Sequence, residues 1–138
     1  MLLAQAALET GWGQYLPKAA DGSESFNLFG IKADSRWQGD SVTVNTSEFI
    51  AGQLTRVSAP FRRYASFAES FADYVSFVSG QARYAPALQA AANDGNYAQS
   101  LQQAGYATDP RYAEKIQQII ARDDFQQSLQ LAQRRAAE

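Results

Sequence analysis

The chain lacks cysteine and histidine altogether, carries one methionine and four prolines in 138 residues, and has no apolar run approaching the ~20 residues that span a bilayer. Without thiols or imidazoles there is no cysteine nucleophile, no histidine base or triad, and few of the usual zinc sites. Any chemistry therefore falls to carboxylates, tyrosine, lysine or serine, and no cofactor or metal is expected. The absence of cysteine suits an oxidising compartment and the cytosol equally. Twelve basic residues against fourteen acidic ones, with no basic run, leave no footprint for a phosphate backbone, so nucleic acid is not an expected partner. What remains is a composition of 46% hydrophobic and 19% charged residues, that of one globular domain over residues 1–138. The opening Met1-Leu2-Leu3 runs straight into helix-forming sequence with no basic segment and no cleavage site. A chain that opens in mid-helix reads as an excised fragment.

The stretch "LLAQAALETGWG" predicts a helix over about residues 1–10, stopped by Gly11 and Gly13, with Leu2, Gln5, Ala6 and Glu9 on one face. Residues 14–25 read as loop and "FNLFGIK" as a compact apolar turn. The period then changes: "SVTVNTSEF", Ala51-Gly52 and "QLTRVS" predict a hairpin over about residues 41–58, which "FRRY" extends. From Ser66 the pattern is helical. A capping box at Ser66 and Glu69 starts a helix whose core stripe is Phe67, Phe71, Tyr74, Val75 and Val78 and which ends at Gly80. Further helices are expected at 84–93, stopped by Gly95, at 97–104, stopped by Gly105, and from Pro110 with Thr108 or Asp109 as N-cap. The tail at 124–138 reads as a peripheral helix. Helix, hairpin and then several helices make an α+β fold, a small β lobe beside a mainly helical one.

Glu9 is the conspicuous residue. A carboxyl at the last turn of an apolar helix faces the negative end of the macrodipole and poor solvation, and both disfavour its charged form. A carboxylic acid that stays protonated near neutral pH suits a general acid; a glutamate reaching solvent where the helix emerges is the alternative. Trp12 reads as a sugar-stacking platform or as core. Glu48 shares a strand face with Val42, Val44 and Thr46 and reads as a cleft carboxylate or a solvated one. Tyr106 can donate to a sugar oxygen or close a helix end. Asn27 and Phe29 can line a cleft floor, with Asn27 as a buried turn former the other reading.

Four stretches, "AQAALETGWG", "NLFGIKA", "FRRYASFAESFADY" and "GYATDPRYAEKI", stand in the order and near the spacing of the bacterial β-N-acetylglucosaminidases of glycoside hydrolase family 73. The chain resembles most the peptidoglycan-hydrolase domains of flagellar rod-assembly proteins in that family. The resemblance covers about residues 2–122 and implies a lysozyme-like fold, with a cleft between a helical lobe and a hairpin lobe. It implies Glu9 as general acid, Glu48 as second catalytic carboxylate and Tyr106 as a cleft tyrosine contributing to catalysis, with Trp12, Asn27, Phe29 and Tyr64 as substrate-binding residues. The implied substrate is the peptidoglycan glycan strand, cut after N-acetylglucosamine in the periplasm. Flagellar rod proteins are the implied partners, through an N-terminal region outside this sequence, and no membrane span is expected. A lytic transglycosylase, or a non-catalytic peptidoglycan-binding scaffold, is the alternative. The helix that usually precedes the catalytic one in this family is absent here.

Overall fold

The computed structural model describes residues 1–137, and side chains as far as residue 135. In chain order the elements are α1 (Leu2–Thr10), β1 (Ser41–Ile50), β2 (Gln53–Arg62), α2 (Phe67–Ser79), a single 3₁₀ turn (Ala82–Tyr84), α3 (Ala85–Gln89), α4 (Asp94–Gln103), α5 (Tyr112–Ile120) and α6 (Asp123–Ala137). The helices gather around one core in which Phe29, Leu101 and Ile116 are fully buried together with Ala4, Ala87 and Ala98. The small residues of α1 let it sit inside this core rather than on it. Met1 and Leu2 pack against the core as well, while Leu3 stays about half exposed.

Helix α1 stops where glycine allows it. Gly11 takes the left-handed conformation (φ 55°) and its N–H bonds the Ala7 carbonyl, and the Tyr15 ring lies where a β-carbon on residue 11 would be. Trp12, at φ 61°, continues that conformation without being glycine. Its ring is fixed edge-on against Phe125, with the Arg122 guanidinium over it.

β1 and β2 form an antiparallel hairpin closed by Ala51 and Gly52, both at positive φ, with Val42 opposite Phe61 and Glu48 opposite Thr55. Val42, Ala59 and Phe61 give it a small core of its own. At its base, Arg62 N–H bonds the Ile31 carbonyl and Ala33 N–H bonds the Pro60 carbonyl, so the 31–33 segment runs beside β2. Asn27 locks this junction: its amide donates to the carbonyls of Ile31 and Arg62, each at 2.9 Å, and accepts from Ile31 N–H.

Several expected boundaries move. β2 runs to Arg62, and so takes in the start of "FRRY". In α2, Ser66 does accept from Glu69 N–H, but Phe67 and Val75 are exposed and Ser70 takes a core position, its hydroxyl accepting from Leu28 N–H. The expected 84–93 helix is the 3₁₀ turn plus the short α3, since its Ala-Ala-Asn end unwinds ahead of the Asn93 cap. Gly95 does not stop that helix; it lies in the first turn of α4. α5 begins two residues after Pro110, because Thr108 is drawn to the hairpin and Asp109 instead accepts from Arg111 N–H. α6 is anchored by the buried Phe125, and the last residue of the expected tail helix lies outside the described residues. Among the described residues no helix is long and apolar enough to cross a membrane.

Candidate active site

A cleft of about 1140 Å³ runs between the hairpin and the helical lobe, larger than the 300–1,000 Å³ typical of small-ligand pockets. Glu9 lies on its helical wall and Glu48 on its hairpin wall, and Tyr106 lines it between α4 and α5. Glu48 is there because strand alternation carries it to the inward face with Val44 and Thr46.

The two carboxyls sit in opposite environments. Burial pushes Glu9 up to about 7; a side-chain hydrogen bond with Tyr112 opposes the rise and the Glu48 charge adds to it. The backbone of Gly30 crosses directly over the Glu9 carboxyl, so closely that a β-carbon there would lie 2.7 Å from Oε2. Burial also works to raise Glu48, but Lys32 Nζ at 2.5 Å and the Thr108 hydroxyl at 2.6 Å overcome it and hold the group below the usual glutamate range. Thr108 Oγ1 in addition accepts from Phe49 N–H at 3.1 Å, which clips the hairpin to the helical lobe. One carboxyl near neutral pH is thus poised to give a proton while its neighbour stays charged, the division of labour that acid and base catalysis needs.

Tyr106 turns its hydroxyl to the Phe29 carbonyl at 2.9 Å, and its ring packs among Tyr74, Phe77, Tyr84 and Tyr112. The other four expected site residues are not brought to the cleft. Trp12 packs on α6, Asn27 is fully buried with its amide spent on the loop junction, and Phe29 is fully buried against Phe71 and Tyr74. Tyr64 donates to Asp73 beside the buried Arg62, whose guanidinium also binds that carboxylate. Asn27 and Phe29 support the cleft wall from behind, through the loop junction and the carbonyl that Tyr106 binds, whereas Trp12 is about half exposed on α6.

Sequence reasoning passed over Gly30, Lys32, Thr108 and Tyr112. Gln5 lies one helical turn before Glu9 on the same face, and that spacing is the sequence signal for a buried polar group there, whose partners are Tyr112 and Tyr74. The cleft also carries Lys18, Arg56 and Arg83, which make no ion pair with the described residues, so its wall is cationic in a chain of net charge −2. Among the described residues no three His, Cys, Asp or Glu side chains gather closely enough to hold a metal ion.

Residues 1–125 match the Glucosaminidase family, described as mannosyl-glycoprotein endo-β-N-acetylglucosaminidase. The chain belongs to that family. This glucosaminidase domain is 54% identical over 118 residues to the peptidoglycan hydrolase FlgJ of Pseudomonas aeruginosa, a match covering 86% of the domain and 30% of the relative. It thus spans about a third of the length of the curated FlgJ relatives it matches. Its structure resembles a mutant peptidoglycan hydrolase from Sphingomonas sp. A1, with a TM-score of 0.87, 44% identity, and coverage of 94% of the domain and 83% of that chain. It also resembles a C-terminally truncated glycoside hydrolase domain from Salmonella typhimurium FlgJ, with a TM-score of 0.65, 44% identity, and coverage of 88% and 83%. The domain is a glycoside hydrolase with a lysozyme-like fold.

Proposed function

We propose that this domain hydrolyses peptidoglycan, cutting within the glycan strand the β-1,4 bond that follows N-acetylglucosamine. The opposed charge preferences of Glu9 and Glu48 across one cleft carry the reading. Glu9 protonates the departing glycosidic oxygen. Glu48, ionised beside Lys32 and Thr108, serves as the base that activates water on the other face of the sugar. Tyr106 fixes the Phe29-Gly30 backbone over Glu9 and so acts as a positioning residue. The unpaired Lys18, Arg56 and Arg83 suit a glycan whose stem peptides bear carboxylates better than they suit a neutral polysaccharide.

Similarity to the FlgJ hydrolases supports action on the wall outside the cytoplasm, in the periplasm, with local opening for a flagellar rod as its biological task. Contacts with rod proteins are assigned to the parts of such chains that lie outside this domain. Digestion of purified peptidoglycan, followed by mass and reducing-end analysis, tests the activity. Reducing N-acetylglucosamine ends are expected. Anhydro-sugar ends would make the domain a lytic transglycosylase, and binding without new ends would make it a scaffold.

A further inference from the structure

The two most exposed large apolar side chains among the described residues both line the cleft, one from each lobe. Tyr15, in the loop after α1, is 75% exposed, and Leu54, on β2, is 65% exposed. Single apolar residues scattered over a surface are ordinary; the two barest ones falling in one cleft are not. Tyr15 also stands apart from the other tyrosines. Tyr64, Tyr74, Tyr97, Tyr106 and Tyr112 have hydrogen-bond partners at their hydroxyls, and Tyr84 is buried against Phe77 and Tyr106. Among the described residues Tyr15 has neither an aromatic neighbour nor a hydrogen bond at its hydroxyl.

Bare as it is, the ring is held in place. The Tyr15 N–H donates at 2.8 Å to the carbonyl of Thr10, the residue next to Glu9, and Thr10 Oγ1 accepts from Gly13 N–H at 2.9 Å, so the 10–15 turn is wound onto the end of α1. One edge of the ring rests over Gly11, where a β-carbon would lie 2.5 Å from Cδ2 and 3.1 Å from Cε2. Further along the loop, Ala19 packs against the Val42, Ala59 and Phe61 core of the hairpin. The loop is thus fastened to both lobes, and Tyr15 is positioned from the same helix end that carries Glu9. A side chain already restrained in this way has less freedom to lose when a ligand covers it.

We propose that Tyr15 is a glycan-binding platform on which one sugar ring of the strand stacks, beside the pair being cleaved. The proposal rests on the reading that this cleft holds a glycan strand. A β-linked N-acetylhexosamine carries its hydroxyl and acetamido groups around the rim and leaves C–H groups on its faces. A tyrosine matches that pattern with an apolar ring and a solvated hydroxyl. Leu54 lends the hairpin wall a second apolar surface along the same cleft. Tyr15 is hydrogen-bonded to neither Glu9 nor Glu48, so it bears on where the strand lies and not on the reacting atoms. It takes the role the sequence suggested for Trp12, three residues earlier, whose ring is turned to Phe125 instead.

The experiment is cosedimentation of the whole domain with purified peptidoglycan, in a Glu9→Gln background that leaves the strand intact. The variants are Tyr15→Ala, Tyr15→Leu, Tyr15→Phe and, as an exposed apolar residue outside the cleft, Val75→Ala. Leucine still covers Gly11 but offers no flat face, so it separates stacking from support of the turn. Tyr15→Ala and Tyr15→Leu should each weaken binding about tenfold, the scale of a stacking contact with its buried area, while Tyr15→Phe and Val75→Ala stay within about twofold. With Glu9 restored, the loss should appear in KM, with kcat within about twofold of wild type. Folded Tyr15→Leu that binds as wild type overturns the platform, as does a loss that phenylalanine does not rescue, a loss confined to kcat, or a domain that does not bind peptidoglycan at all. Peptidoglycan that is bound but left uncut by the domain with Glu9 intact would instead overturn the proposed activity, and the binding series would still read Tyr15.

Discussion

Replacing Gly30 by alanine asks the most of the active-site geometry. Residue 30 has φ 65°, a conformation costing an L-residue about 1–2 kcal/mol, and its new β-carbon would lie 2.7 Å from Glu9 Oε2. Ordinary contact begins near 3.4 Å, so the carboxyl must retreat by roughly 0.7 Å or the loop must lift. Gly22 supplies the control, since its φ of 85° imposes similar backbone strain with nothing within 4 Å of the added carbon. Both variants should lose about 1 kcal/mol from strain, or about 4 °C in melting temperature. In Gly30→Ala the displaced acid adds a catalytic loss, and misplacements of about 1 Å cost up to 10²-fold. Clearance of a peptidoglycan suspension should thus slow by about 10- to 100-fold in Gly30→Ala and stay near wild type in Gly22→Ala. Gly30→Ala that clears within twofold of wild type, at a temperature where it is folded, would refute the reasoning.

Other outcomes follow from the same geometry. The folded Glu9 carboxyl titrates at about 7 against 4.5 for its ordinary value, so the folded state binds more protons between those limits. The stability this contributes is full below pH 4.5 and is lost as pH rises through 7, about 3 kcal/mol in all. Glu9→Gln should therefore gain in melting temperature relative to wild type between pH 4.5 and 8, and equal pH profiles would contradict this. Its activity should fall 10²–10⁴-fold throughout. Asn27→Ala strips partners from two buried carbonyls and one N–H, and should cost about 3 kcal/mol by urea denaturation; a loss under about 1 kcal/mol would count against the junction described here. Thr108→Val removes a donor from Glu48 while keeping the side-chain shape, so the Glu48 midpoint should rise and the acidic limb of the pH–activity profile should move to higher pH.

Much of this was legible in the sequence, for reasons that can be named. The Gly-Trp-Gly stop, the Ala51-Gly52 turn and the Ser66-Glu69 pair are local signals, and each marks its boundary. Glu9 was legible because a helix end and an apolar stretch are both local, and they already say that its charge is disfavoured. The illegible parts are long-range. Nothing near Thr108 indicates that it serves a strand sixty residues away rather than the helix beside it, and nothing near Asn27 shows that it binds the Arg62 carbonyl. Val75 and Ser70 exchange their expected places because Leu28 N–H needs a partner on that face of α2. The hairpin has only a small apolar core of its own, and its fastening to the helical lobe is polar, through Thr108, Lys32 and the Asn27 junction.

The segment Gly30-Ile31-Lys32 works as a spacer between the two carboxyls. At one end Gly30 presses on Glu9, at the other Lys32 grips Glu48, and between them Ile31 is hydrogen-bonded to β2. Two residues of chain reach at most about 7 Å, so this segment ties the placing of one carboxyl to that of the other, alongside the Thr108 clip. The exposed turn at Asp21 and Gly22, by contrast, touches neither carboxyl. A single residue inserted between Gly30 and Lys32 would shift one carboxyl's contact relative to the other's, and it would disturb the bonds of Ile31 to Asn27 and β2 as well. For anyone retuning this scaffold toward a thicker or thinner glycan, that segment is the dimension to change.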